Sequence, residues 1–210
     1  MRLHDMDERR QEVLLHTVEM LQAVFWGPDA ETCRELLDGA LADLATRAGE
    51  TPVSGLADAL DVLAARGAGL ARQPDPCLEL ESEYVRLFIS SKGGVAASLY
   101  QSVHEEHGGR PRLMGPSAEA MRERLVKAGL TVDQTFNEPP DHLCIELAYL
   151  HLLLDSGWQG DAEALEQAVA FARDILPWCR SLSERVEQAD NDFFAAAATV
   201  LLRLLEHLSS

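Results

Sequence analysis

The scarcest feature of this chain is positive charge: 18 Lys and Arg stand against 35 Asp and Glu, a formal net charge of −17 over 210 residues. That excess repels phosphate backbones and anionic headgroups, which argues against nucleic acid as a partner and against a membrane surface. Long hydrophobic runs are missing as well. The longest, Phe193 to Leu202, is about half of the ~20 residues that a membrane span needs. The opening MRLHDMDERRQE is polar and acidic, where a secretory signal needs a basic start and an apolar stretch. The expectation is a cytoplasmic protein. Cys33, Cys77, Cys144 and Cys179 form no CxxC pair, so neither a zinc site nor a thioredoxin-like motif is suggested, and reduced, buried thiols are expected. Runs of alternating β-branched residues are absent too, which points away from sheet.

Catalytic and metal signatures are equally scarce. GxxxxGK[ST] and GxSxG do not occur, and Lys92-Gly93-Gly94 reads as a turn. His104 and His107 are three apart, where the zinc-protease helix needs four, and no Glu precedes a His by three as bundle di-iron sites require. No metal and no cofactor is expected, and nothing announces an enzyme.

What is present is helical periodicity in a chain that is 47% apolar and 25% charged, the composition of a globular all-α protein. A first helix is predicted from about Asp7 to Phe25, ended by Gly27-Pro28, with Asp29 capping the next. Further helices are expected near Ala30 to Arg47 and Val53 to Ala65. Pro74-Asp75-Pro76 opens another, in which Leu80, Tyr84, Leu87 and Phe88 form one stripe. A short helix is expected from Ala97 to His104, and one from Pro116 to Gly129; residues 130 to 137 read as a hinge. From Glu138 onward a helix apolar on most sides is predicted to be buried. Breaks are expected near Gly157 to Gly160 and at Pro177, and a cap near Asp190-Asn191. Glu138 to Asp192 holds 12 acidic and 3 basic residues, so this half is the acidic one, a solvated face or a steering field.

NEPPDHLCIE, residues 137 to 146, is the most informative segment. Asn137 or Asp141 can cap the buried helix and Pro139-Pro140 presets its entry. His142, in the expected first turn, lies where the helix dipole disfavours an imidazolium, four residues from Glu146 on one face. A structural hydrogen bond and a functional contact both fit that pair.

Together with EYVRLF at Glu83 to Phe88 and SLY at Ser98 to Tyr100, PPDHLCIEL at Pro139 to Leu147 resembles the TorD/DmsD family of redox-enzyme maturation chaperones, related to the NarJ group. The likeness covers residues 79 to 155. It implies an all-α multi-helix bundle of two intimately packed lobes, about 1–130 and 142–210, with a hinge at about 131–141, existing as monomer or domain-swapped homodimer. It also implies a non-enzymatic chaperone that binds the twin-arginine leader and apo form of a molybdopterin-dependent oxidoreductase, assisting cofactor insertion and proofreading before export. Carried over, Tyr84, Leu87 and Phe88 would wall a client groove with Ser98 and Tyr100, while Pro139, Asp141 and His142 would shape it and Glu146 would back His142. Asp141 would accept the arginines and the aromatic stripe the apolar part. Two other readings stand beside this one: a guanine-nucleotide-binding or hydrolysing protein centred on Asp141, His142 and Glu146, and an acidic adaptor for a folded partner.

Overall fold

The computed structural model describes residues 3–51, 53, 55–90, 94–105, 113–130 and 138–210, which are helical almost throughout, with no strand among them. The expected hinge residues 131–137, Asn137 among them, lie outside the described residues, as does Lys92-Gly93.

Helix α1 (Glu8–Phe25) starts where the Asp7 carboxylate accepts the Arg10 N–H at 3.0 Å. It buries Leu14, Val18, Leu21 and Phe25 along one face. It ends because Gly27 takes φ +87°, a left-handed conformation that glycine adopts freely. A Cβ at Gly27 would also sit 2.8 Å from the Tyr84 ring. Asp29 then caps α2 (Ala30–Glu35) by accepting the Glu31 and Thr32 N–H groups at 3.0 and 2.8 Å. A π-turn, Leu36–Ala40, leads into α3 (Leu41–Glu50), and α4 (Leu56–Leu70) follows. Helix α5 (Pro76–Tyr84) runs into a second π-turn, Val85–Ile89. Helix α6 is the single turn Gln101–His104, α7 spans Pro116–Lys127, α8 Leu143–Trp158, α9 Ala162–Gln188 and α10 Asp192–Leu208.

Helix α8 carries the wholly apolar pattern, and Leu143, Leu147, Leu150 and Leu154 are fully buried between α1 and α9. Helix α10 closes the other side, packing on α9 and α4. One continuous core joins them. Removing a large side chain from such a core costs ~2–5 kcal/mol.

Four expectations need correction. Cys33 and Cys77, 44 residues apart, are joined by a disulfide, with Cα atoms 5.8 Å apart, while Cys144 and Cys179 are free and buried. Pro177 does not break α9, which runs 27 residues through it. Both Pro177 and Arg173, whose carbonyl loses its helical partner, are exposed, so water can take up that oxygen. The buried helix begins at Leu143 and not at Glu138, because Pro140-Asp141 form a turn closed by the His142 N–H on the Pro139 carbonyl, and His142 then makes an isolated bridge pairing with Tyr100 of the SLY segment. That pairing also delays the short helix from Ala97 to Gln101.

Three main-chain ties bring the distant motifs together. The Leu87 carbonyl accepts the Ala97 N–H at 2.9 Å, Leu99 accepts Leu143 N–H at 2.8 Å, and Asp141 accepts Gln101 N–H at 3.0 Å. Tyr100 and His142 form an isolated antiparallel bridge. Glu83 and Arg86 are a clamp: Glu83 Oε2 accepts from Arg86 Nε and Nη2 and from Asn191 Nδ2, and Arg86 Nη2 reaches the Ala189 carbonyl. This fixes α5 to the α9–α10 turn.

Candidate functional site

The motif residues meet around the end of α1. Tyr84 donates its hydroxyl proton to the Phe25 carbonyl at 3.2 Å. The next residue, Trp26, stands edge-on to the His142 ring at 5.1 Å, and Tyr100 stands edge-on to its other side at 5.2 Å. Tyr100 Oη donates to Glu138 Oε2 at 2.5 Å. Ser98 is buried, and its Oγ accepts the Tyr100 N–H at 3.3 Å while its carbonyl bonds the His104 ring. Pro139 is half-buried and its carbonyl accepts the His142 N–H at 3.1 Å.

His142 is the N-cap of α8 rather than a first-turn residue. Its Nδ1 accepts the Cys144 N–H at 3.2 Å, which requires an unprotonated Nδ1 and hence a neutral ring. Burial lowers its pKa below the ordinary 6.5, against the opposing charges of Glu138 and Asp141. The ring's hydrogen bond therefore goes to the α8 backbone and not to Glu146.

Asp141 is fully buried. Its Oδ2 accepts the Ser102 N–H at 2.8 Å and stands 3.5 Å from Ser117 Oγ, while Oδ1 has no partner. The carboxylate thus ties α6 and α7 to the entry of α8. Glu146 lies one turn deeper, also fully buried, with neither oxygen hydrogen-bonded. Burial, and next the Asp141 charge, raise its pKa well above the ordinary 4.5. The Trp178 indole pulls it back, although its N–H makes no hydrogen bond of ordinary geometry. Burial and the Asp141 charge thus favour the neutral acid form of Glu146.

Leu87 and Phe88 are not at the surface. Leu87 is fully buried, and the Phe88 ring packs in the core with Phe25 and Phe194 at 5.9 and 5.2 Å. Of Tyr84, Leu87 and Phe88, it is Tyr84 that lines a cleft among the described residues. Leu87 and Phe88 lie seven and eight residues beyond the buried Leu80 and share its inward face.

Among the surface clefts, two meet along Trp26, Gly27, Pro28 and Asp29. The larger, about 990 Å³, is lined by Leu125, Leu130, Ile145, Ala148, Tyr149 and Leu152, with Asp155 and Asp29 at its rim. The smaller, about 630 Å³, is walled by Tyr84, Val85 and Leu78 and carries Asp29, Asp75 and Glu81. Among the described residues, no Lys or Arg lines either one. Neither Asp75 nor Glu81 is in an ion pair among the described residues. The result is a bent groove with an apolar arm and an anionic arm, and the half-exposed Trp26 at the bend.

The profile described as "Nitrate reductase delta subunit" matches residues 42–184. "Chaperone protein TorD" of Vibrio cholerae serotype O1 is 30% identical over 196 residues, covering 87% of each chain. The chain belongs to this family, the TorD/nitrate reductase delta subunit group of redox-enzyme maturation proteins. "Chaperone protein TorD" of Aliivibrio fischeri is 30% identical over 159 residues, 73% of this chain and 72% of its own. A solved structure, titled a putative redox enzyme maturation protein from Archaeoglobus fulgidus, superposes with a TM-score of 0.54 at 23% identity over 96% of both chains. The Vibrio and Aliivibrio relatives are named as chaperones, not enzymes. No helix among the described residues is long and apolar enough to cross a membrane.

Most of the groove was missed by sequence reasoning. Ile145 and Leu152 sit on a helix whose pattern signalled burial only, and Trp26 and Glu81 carried no reading of their own. The available signal was WGPD, residues 26–29: a large aromatic beside a forced helix stop has no helical face to hide in.

Proposed function

We propose that this chain is a cytoplasmic chaperone for the precursor of a molybdopterin-dependent oxidoreductase, and that its bent groove holds the precursor's twin-arginine leader. The observation that carries the reading is the groove's division into one apolar and one anionic arm. An extended leader with paired arginines followed by an apolar stretch needs both. Asp75, Glu81 and Asp29 would take the guanidinium groups, which favour fixed carboxylates. Leu125, Ile145 and Leu152 would take the apolar stretch, and Trp26 and Tyr84 the bend between them. Asp141, Glu146, Leu87 and Phe88 act from beneath, holding α6, α8 and the Tyr84 turn in place. Holding the leader keeps the client back from export while its cofactor is inserted, which is the proofreading step.

The test is direct binding of a synthetic peptide carrying two consecutive arginines and an apolar stretch. Ile145→Asp or Leu152→Asp should abolish binding while leaving the helical signal and Tm near the parent's. Capture from the native host should return a molybdoenzyme precursor. Tight binding by both charge variants, or capture of only unrelated proteins, would refute the reading.

A further inference from the structure

The Cys33–Cys77 disulfide stands in the wall of the anionic arm, where neither the composition nor the family likeness calls for one. It joins α2 to α5, and these two helices supply all three carboxylates of that arm, Asp29 at the cap of α2 and Asp75 and Glu81 on α5 and its cap. Little else holds the seam. Cys33 is the only buried residue of α2, and no hydrogen bond or ion pair joins α2 to α5 among the described residues. Both helices are acidic: α2 carries Glu31 and Glu35, α5 and its cap carry Asp75, Glu79, Glu81 and Glu83, and Arg34 is the one basic side chain on the two helices. Like charges brought together at a surface repel. The covalent bond therefore ties together two helices of like net charge.

The two sulfurs differ in access. Cys33 is 1% exposed, whereas Cys77 is half-buried and lines the open cleft. Attack by an external thiolate is directed to Cys77.

We propose that Cys33 and Cys77 form a thiol-exchange site through which a dithiol reductant opens the anionic arm and releases the cationic segment held there; the release step rests on the leader-binding reading. A thiolate of the dithiol bonds to Cys77 Sγ and expels Cys33 as thiolate. The second thiolate of the reductant then attacks its own sulfur in the mixed disulfide, and Cys77 leaves as thiolate. Two electrons and two protons pass in total: the dithiol becomes a disulfide and both cysteines become thiols. The oxidised protein is the high-affinity form, because its carboxylates are preorganised, and the reduced protein the low-affinity form.

The experiment uses the full chain, oxidised and after treatment with dithiothreitol, alongside Cys33→Ser/Cys77→Ser. Hydrogen exchange of residues 30–35 reads the seam without any ligand. It should quicken on reduction and match the double variant, with α8 and α10 unchanged. The arginine-pair peptide should bind the reduced form and the double variant weaker by on the order of tenfold, and dithiothreitol should not alter the double variant. An air-oxidised protein that retains both thiols, or exchange at α2 indifferent to reduction, overturns the proposal. Equal peptide affinity in both redox states overturns the gating. A peptide that binds neither form overturns the leader-binding reading and the release step with it, while the exchange data still decide whether reduction opens the arm.

Discussion

Asp141 Oδ2 accepts the Ser102 N–H at 2.8 Å across 39 residues of chain. The carboxylate that seemed suited to receiving a client's arginine is instead spent on the fold, capping the single-turn α6 beside the entry to α8. Asp141→Ala should lower stability by ~1–3 kcal/mol, the penalty for an orphaned buried N–H. Asp141→Asn, which keeps an acceptor oxygen, should cost less. Chemical denaturation of the two variants checks this, and equal losses would show that the charge, not the acceptor, matters.

Glu146 sets the opposite sign. Its carboxyl is fully buried without a hydrogen bond, and its pKa is raised well above 4.5 by burial and by Asp141. In the unfolded chain it ionises near 4.5, so between that value and its folded pKa the native state binds more protons, and stability falls as pH rises. At pH 7 the residue is a net cost. Glu146→Gln cannot ionise, so its stability should gain on the parent's as pH rises from about 4.5 toward 7, and the gain should shrink toward pH 4. Urea melts at several pH values read both effects.

Local signals reached the helices and their caps. Asp7, Asp29 and Asn191 cap where their sequence contexts place them, and the last helix buries Ala197, Val200, Leu201, Leu204 and Leu208 as its period requires. Non-local events were not legible. A disulfide between Cys33 and Cys77 depends on two helices meeting, and the burial of the Phe88 ring between Phe25 and Phe194 depends on packing from distant helices. The groove illustrates the same limit: Trp26 and Asp29 belong to one turn, but Leu125, Ile145 and Glu81 come from three helices, and only packing assembles them. The motifs marked the supports of the site better than its walls, because main-chain ties and buried carboxyls constrain residue identity more than an open surface does.

Gly27 is required twice. Its φ of +87° strains any other L-residue, and a Cβ would sit 2.8 Å from the Tyr84 ring. Gly27→Ala should cost ~1–3 kcal/mol and displace Tyr84 from the Phe25 carbonyl. Tm measurement and the near-ultraviolet tyrosine signal report the two effects separately, and a stable variant with an unchanged signal would argue against the close packing.

Acid should destabilise the protein through its histidines. His104, His142 and His207 all have pKa values lowered from 6.5, each chiefly by burial. Below about 6.5 the unfolded chain takes up protons that the native state resists, so stability declines as pH falls from there through the folded values. For His142 the proton also removes the Nδ1 acceptor from the Cys144 N–H. His142→Asn supplies an equivalent cap without titrating, so its stability should fall less steeply between pH 7 and 5 than the parent's. A parallel decline in both would mean that His104 and His207 account for the slope.

The anionic arm makes a kinetic prediction distinct from that of the apolar arm. Asp75 and Glu81 are exposed, so water and salt screen them and their contribution to final affinity is modest. Their field acts earlier, on the approach of a cationic segment, where steering raises association rates at low ionic strength. Asp75→Asn/Glu81→Gln should therefore slow association of the arginine-pair peptide severalfold at low salt, with little change in dissociation, and the deficit should shrink as salt rises. Leu152→Asp should act in the reverse way, speeding dissociation at every ionic strength. Stopped-flow binding at several salt concentrations separates them, and an association rate in the double variant equal to the parent's at low salt would remove Asp75 and Glu81 from the client's path.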